Sequence, residues 1–154
     1  MVSFFGEYEV SVDAKGRFLV PASLRKQIPE GTEEVFVMNR GIENCLNMYH
    51  ISMWKALTGK LNTMNDFDDD VREFKRVIMD GATMIEPDSA GRILMPKSLM
   101  EYADIKKDMV LVSLGNKIEL WDKDTHKEYM NKRRSNIKDL AKKVGGGVNL
   151  FENL

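Results

Sequence analysis

The side chains best suited to chemistry occur twice. "DAKGRFLVPASLR" at residues 13–25 and "DSAGRILMPKSLM" at residues 88–100 share Asp, Gly, Arg, Leu, Pro, Ser and Leu at identical offsets, 75 residues apart. A carboxylate can accept hydrogen bonds from backbone N–H groups in a tight turn, and glycine permits a positive φ. Asp13 with Gly16, and Asp88 with Gly91, therefore have the chemistry of a fixed turn. Arg17 and Arg92 would project from that turn, each offering a planar fork of donors. Lys15 adds a second cation to the first copy, where the second has Ala90. Two compatible readings stay open. Asp and Arg can staple the turn, which then recurs because the fold recurs. Alternatively, the cations can reach phosphates or guanine edges.

The surrounding segments must position these turns. "EVSVD" alternates like a half-buried strand, and "RFLVP" is a short apolar strand closed by proline. "PASLRKQI" sets Leu24 and Ile28 four apart after Pro21, which suits a first helical turn. "EVFVM" and "CLNMY" flank "NRGIEN", a loop of hairpin length. In "ISMWKALTGKL", Trp54, Leu57 and Leu61 share one helical face. A second helix is expected in "DFDDDVREFKRVIMDGA", where Val71, Phe74, Val77 and Ile78 have helical spacing. Its Asp run suits a helix N-terminus.

The repeat reaches beyond the motif. "TMIEPD", "MVLVSL", "KIELW" and "THKEYM" follow the order of their counterparts in the first copy. Aligning Val35-Phe36-Val37 with Val110-Leu111-Val112 keeps the offset at 75, and it falls to 72 by Leu46 against Ile118. This alignment places three extra residues of the first copy near "NRGIEN". The chain divides into a first repeat at 7–54, a helical linker at 55–82, a second repeat at 83–126, and a basic helix with a flexible tail at 127–154. A unit of about 50 residues buries little surface alone, and its strand edges invite pairing. The two copies are thus expected to be halves of one pseudo-symmetric α+β barrel with flanking helices.

Bulk properties narrow the function. The 154 residues carry a net charge of −1, so no general basic surface announces nucleic acid. Each of the first three segments is slightly acidic, and the basic surplus lies in the last. No apolar run approaches the roughly 20 residues that span a bilayer. The opening "MVSFFGEYEV" lacks a basic region before its apolar stretch, so no signal peptide is expected. With Cys45 as the one cysteine, no intrachain disulfide can form, and a reducing cytoplasm is expected.

No catalytic constellation, metal site or cofactor is expected. His50 and His126 have no ligand-spaced partners, and no Gly-rich phosphate loop occurs. Asp68, Asp69 and Asp70 could take a divalent ion, although a solvated helix start fits them better. Cys45 falls in an expected strand with no nearby base and reads as packing. "VGGGVNLFENL" reads as a helix stop followed by a flexible tail. A protein-interaction module is a third class, with eleven methionines and the helical segments at 51–64 and 68–80 available for contacts.

The chain closely resembles the MraZ family, bacterial transcriptional regulators of the division and cell-wall gene cluster within the AbrB-like superfamily. The resemblance rests on "FFGEYEVSVDAKGRFLVP" at 4–21, "CLNMY" with Trp54, "REFKR" at 72–76 with Gly81-Ala82, "DSAGRILMP" at 88–96 and "IELWD" at 118–122. It covers about residues 4–130 and is less distinct in the tail. His50 departs from the proline frequent in the family. The resemblance implies a double-split, swapped-hairpin β-barrel and ring-like homo-oligomers larger than a dimer. It also implies binding to direct repeats in promoter double-stranded DNA, in the cytoplasm at the nucleoid. It points to Lys15 and Arg17 as the DNA contacts, with Arg92 a weaker carry-over.

Overall fold

The computed structural model describes residues 2–146, so most of the expected flexible tail lies outside the described residues. The chain separates into two compact units, Met1–Lys123 and Asp124–Leu154. The first unit is a mixed α+β fold. In chain order its elements are β1 (Glu7–Ser11), β2 (Arg17–Leu19), α1 (Ala22–Arg25), β3 (Phe36–Arg40), β4 (Leu46–His50), α2 (Ile51–Asn62), α3 (Asp69–Met79), β5 (Thr83–Ile85), β6 (Arg92–Leu94), α4 (Lys97–Tyr102), β7 (Asp108–Ser113) and β8 (Ile118–Asp122). Helix α5 (Lys123–Arg134) begins at the end of this unit, and α6 (Ile137–Gly145) lies in the second.

Local chemistry accounts for most boundaries. In β1, Tyr8 and Val10 pack on the core while Glu7, Glu9 and Ser11 stay exposed, the period-2 pattern of a one-sided strand. The Asp68 side chain caps α3 by accepting from the Asp70 N–H at 2.9 Å. Asp69 and Asp70 then occupy the first turn, where negative charge is favoured. The Asp run is thus a helix start. His50 caps α2 in the same way. Its Nδ1 accepts from the Ser52 N–H at 3.2 Å, so Nε2 carries the proton and donates to the Glu33 carbonyl at 2.7 Å. The histidine departure is a structural bridge from α2 to the loop before β3. In the second unit, the basic segment forms two helices, and Gly146 ends α6 with φ +55°.

Strand pairing shows how the two copies combine. Six antiparallel strands run in the order β1-β7-β8-β4-β3-β5, and β2 and β6 form a separate ribbon. Exchanging the copies turns β1 into β5, β3 into β7 and β4 into β8, and the same order returns, read backwards. Each copy thus gives its first strand to the other copy's hairpin. The pairs Phe18↔Ile93 and Asn47↔Glu119 lie at the centres of the β2–β6 and β4–β8 registers. The core is shared accordingly: Phe18, Phe36, Met38, Leu46 and Met48 pack in one cluster with Ile93, Met109, Leu111, Ile118 and Leu120. Fully burying side chains of this size contributes about 1.5–3 kcal/mol each.

The register corrects the internal alignment. Val10 pairs with Met109, and Ile85 with Phe36. Phe36 therefore corresponds to Met109, not Leu111, and the offset at these strands is 73. Two of the three extra residues lie in the loop between α1 and β3, and only one lies in the β3–β4 hairpin. The sequence alignment failed because Val-X-Val patterns can slide by two residues without changing which face is apolar.

Candidate nucleic-acid interface

Both motif turns are built by the same local bonds. In the first loop, Asp13 Oδ1 accepts from the Lys15 and Arg17 N–H groups, each at 2.9 Å. Asp13 Oδ2 accepts from Arg17 Nε at 2.8 Å. Main-chain bonds from Gly16 N to the Asp13 carbonyl and from Asp13 N to the Arg17 carbonyl close the turn at 3.0 and 2.8 Å. In the second loop, Asp88 receives the Ala90 and Arg92 N–H groups and Arg92 Nε, all at 2.9 Å. Gly16 and Gly91 have φ values of +86° and +84°, where a Cβ would be strained.

These bonds also set the electrostatics. The Arg17 N–H, followed by its guanidinium and the Lys15 N–H, holds the Asp13 carboxyl below its ordinary value against some desolvation. Asp88 is lowered by the equivalent Arg92 and Ala90 groups. Both carboxylates stay charged at neutral pH and hold their arginines through Nε. The terminal amino groups of Arg17 and Arg92 make no hydrogen bond among the described residues. The Lys15 ammonium likewise has no ion pair among them.

The β2–β6 ribbon brings the two loops side by side. Arg17 pairs with Leu94 and Arg92 with Leu19, so both arginines and both leucines share the face opposite buried Phe18 and Ile93. The Gly16 carbonyl accepts from Met95 N and the Gly91 carbonyl from Val20 N, both at 2.9 Å. Each loop is therefore supported by the other copy.

Lys15, Arg17 and Arg92, with Asp13, Gly16, Asp88 and Gly91, thus fall in one region. The structure adds Arg25, whose Nε and Nη2 bind Glu34 at 3.1 and 2.8 Å, with Nη1 against Gly91. No local signal in the sequence places Arg25 there, because the contact spans the two copies. Cys45 is fully buried, and its thiol lies 3.8 Å from Glu119. Burial, then the charges of Glu119 and Glu43, push the thiol up to about 12, so it stays protonated at neutral pH. The glutamates and the thiol have ligand atoms within 4.8 Å of one another, and the thiol proton is accounted for by the Glu119 contact. Among the described residues, no helix is long and apolar enough to cross a membrane.

The same two-copy organisation appears in comparison with known proteins. A family model, MraZ protein, matches the chain twice, over residues 3–77 and 78–145. The chain belongs to the MraZ family. Relatives named "Transcriptional regulator MraZ" are similar along nearly their whole length. The one from Acetivibrio thermocellus is 38% identical over 141 residues, covering 92% of this chain and 96% of the relative. The one from Flavobacterium psychrophilum is 38% identical over 150 residues, covering 97% and 96%. A third, from Finegoldia magna, is 38% identical over 138 residues, covering 90% and 94%. The MraZ proteins are transcriptional regulators and not enzymes.

Proposed function

We propose that the chain regulates transcription by binding promoter double-stranded DNA through the loop at residues 13–17. The names of its MraZ relatives support the regulatory role. The observation that carries the choice of loop is the free donor set. Arg17 is fixed through Nε with both terminal amino groups available, and an unpaired Lys15 stands beside it. Arg17 reads a base edge and Lys15 contacts phosphate. Arg92 contributes less, lacking a neighbouring cation at Ala90. Asp13, Gly16, Asp88 and Gly91 are turn-building residues in this reading.

One Lys–Arg pair meets few phosphates, so a lone subunit binds weakly. Self-association beyond a dimer, as a ring, raises affinity through effective concentration. Ile42, Phe74 and Val77 line one hollow and are exposed, which supports α3 and the β3–β4 turn as the contact between subunits. Adjacent subunits then meet direct repeats about 10 base pairs apart, on one face of the duplex. The strand exchange supports a double-split barrel as the architecture of the paired repeats at 7–54 and 83–126. The segment at 55–82 joins them, and 127–154 is a basic extension. Such a protein works in the cytoplasm at the nucleoid.

The test is a gel shift on the promoter upstream of the protein's own gene against a random duplex. Preferential binding is expected, and Lys15→Ala should weaken both duplexes and lower the salt dependence by about one counterion per engaged subunit. Equal binding to both duplexes by the unaltered chain would defeat the reading.

A further inference from the structure

The first loop is bordered by side chains of the second copy. Leu94 pairs with Arg17 across the ribbon and is 59% exposed. A methyl placed on Gly16 would lie 3.9 Å from Leu94 Cδ1, so this leucine sits against the loop itself. Lys15 and Lys97 line one open hollow with Leu94, Met95 and Pro96, and Glu86 is the acidic residue on it. Lys97 is exposed and makes no ion pair among the described residues. The second loop keeps an equivalent leucine, Leu19 opposite Arg92, and differs in its cations. Ala22 stands where the first loop has Lys97, and Arg25 stands where it has Met100. That arginine is committed to Glu34 at 2.8 Å. The cations free to meet an anion are therefore concentrated on the first loop's side, and one of them comes from the other copy.

We propose that the DNA-contacting surface of the first loop is composite, with Lys97 and Leu94 of the second copy as contact residues. Lys97 meets a phosphate beside the one held by Lys15. Leu94 packs against the C5-methyl of a thymine next to the base edge read by Arg17. This inference rests on the DNA reading of the first loop. The chemistry fits duplex DNA better than a protein surface. The leucine lies directly opposite an arginine, and the loop's own Lys15 shares a hollow with Lys97. A guanidinium and an apolar side chain side by side match a guanine edge next to a thymine methyl in the major groove.

The experiment uses the full chain with a duplex of its own promoter, the same duplex with deoxyuridine for thymidine, and a random duplex. Lys97→Gln should weaken all duplexes alike and lower the slope of log affinity against log salt by about one per engaged subunit. Lys97→Arg should restore that slope. Leu94→Ala should lose about fourfold per engaged subunit on the thymidine promoter, the effect of one buried methyl-sized group at each. On the uridine promoter it should bind as the unaltered chain does. Both side chains are exposed, and melting curves that match the unaltered chain exclude a folding defect. An unchanged salt slope in Lys97→Gln, or a Leu94→Ala loss that persists on uridine DNA, overturns the inference while leaving the DNA reading intact. If the unaltered chain shows no promoter preference, both fall.

Discussion

The two motif loops are nearly the same object in two settings. Each has an aspartate that takes two backbone N–H groups and one arginine Nε, and each has a glycine near φ +85°. What differs is the company each keeps. The first loop has Lys15, with Met100 packed on its glycine and Lys97 nearby. The second has Ala90, with Arg25 packed on its glycine and held by Glu34. The repeat retains what builds the turn and varies what surrounds it. A fold that needs two such turns to close its ribbon can therefore present one of them to a ligand.

The largest expected effect breaks the comparison at the arginines. Arg17→Ala should nearly abolish operator binding, because a loss of about 1–3 kcal/mol recurs at every engaged subunit. Arg92→Ala should retain most of the affinity. Titration of both folded variants against promoter and random duplex decides between them. The assignment of the two loops is reversed if Arg92→Ala loses binding and Arg17→Ala keeps it.

A smaller effect concerns stability. Alanine at either glycine must adopt a left-handed conformation, costing about 1–2 kcal/mol. At Gly91 the new Cβ would also fall 2.5 Å from Arg25 Nη1, against 3.2 Å from Met100 Sδ at Gly16. Gly91→Ala should therefore lower the melting temperature more than Gly16→Ala. Adding Arg25→Ala should remove the steric part of that excess and leave the conformational cost. Equal melting temperatures for the two single variants would mean that Arg25 swings away freely.

The smallest effect is on proton binding. Both Asp13 and Asp88 are lowered from the ordinary carboxylate value, first by the backbone N–H of the arginine four residues on. A depressed folded-state value means that the stabilising bonds are complete above about pH 4, the unfolded value. They are lost as pH falls through the lower folded value. Carboxyl-carbon NMR should place both midpoints below that of a free aspartate. A normal midpoint at one aspartate alone would show that the two turns are not equivalent.

Much of this was legible in the chain itself, because the bonds that build each loop are local. Asp13 binds the N–H groups two and four residues on, so residue types and spacing suffice to identify the turn. The helix starts at Asp68 and Pro21 are local in the same sense. The apolar stripe of α3 was less legible. Val71 and Ile78 are half-buried, while Phe74 and Val77 stay exposed, so the helical stripe is split between the fold and solvent. His50 gave no sign of its role, since the Glu33 carbonyl it binds lies on the far side of β3 in sequence.

The sequence by itself determined the twofold repeat, the turn chemistry of Asp, Gly and Arg, and the asymmetry of Lys15 against Ala90. The turn bonds depend on residues within a few positions of one another, and the repeat is a likeness between two such local segments. Only the tertiary structure decided that β1 and β5 change places between the copies, and that the offset at β3 and β7 is 73. It also decided that Lys97 and Leu94 flank the first loop while Arg25 flanks the second. Those neighbours lie far apart along the chain. Register and a shared core bring them together, and a two-residue slip preserves the apolar pattern while changing every cross-strand partner.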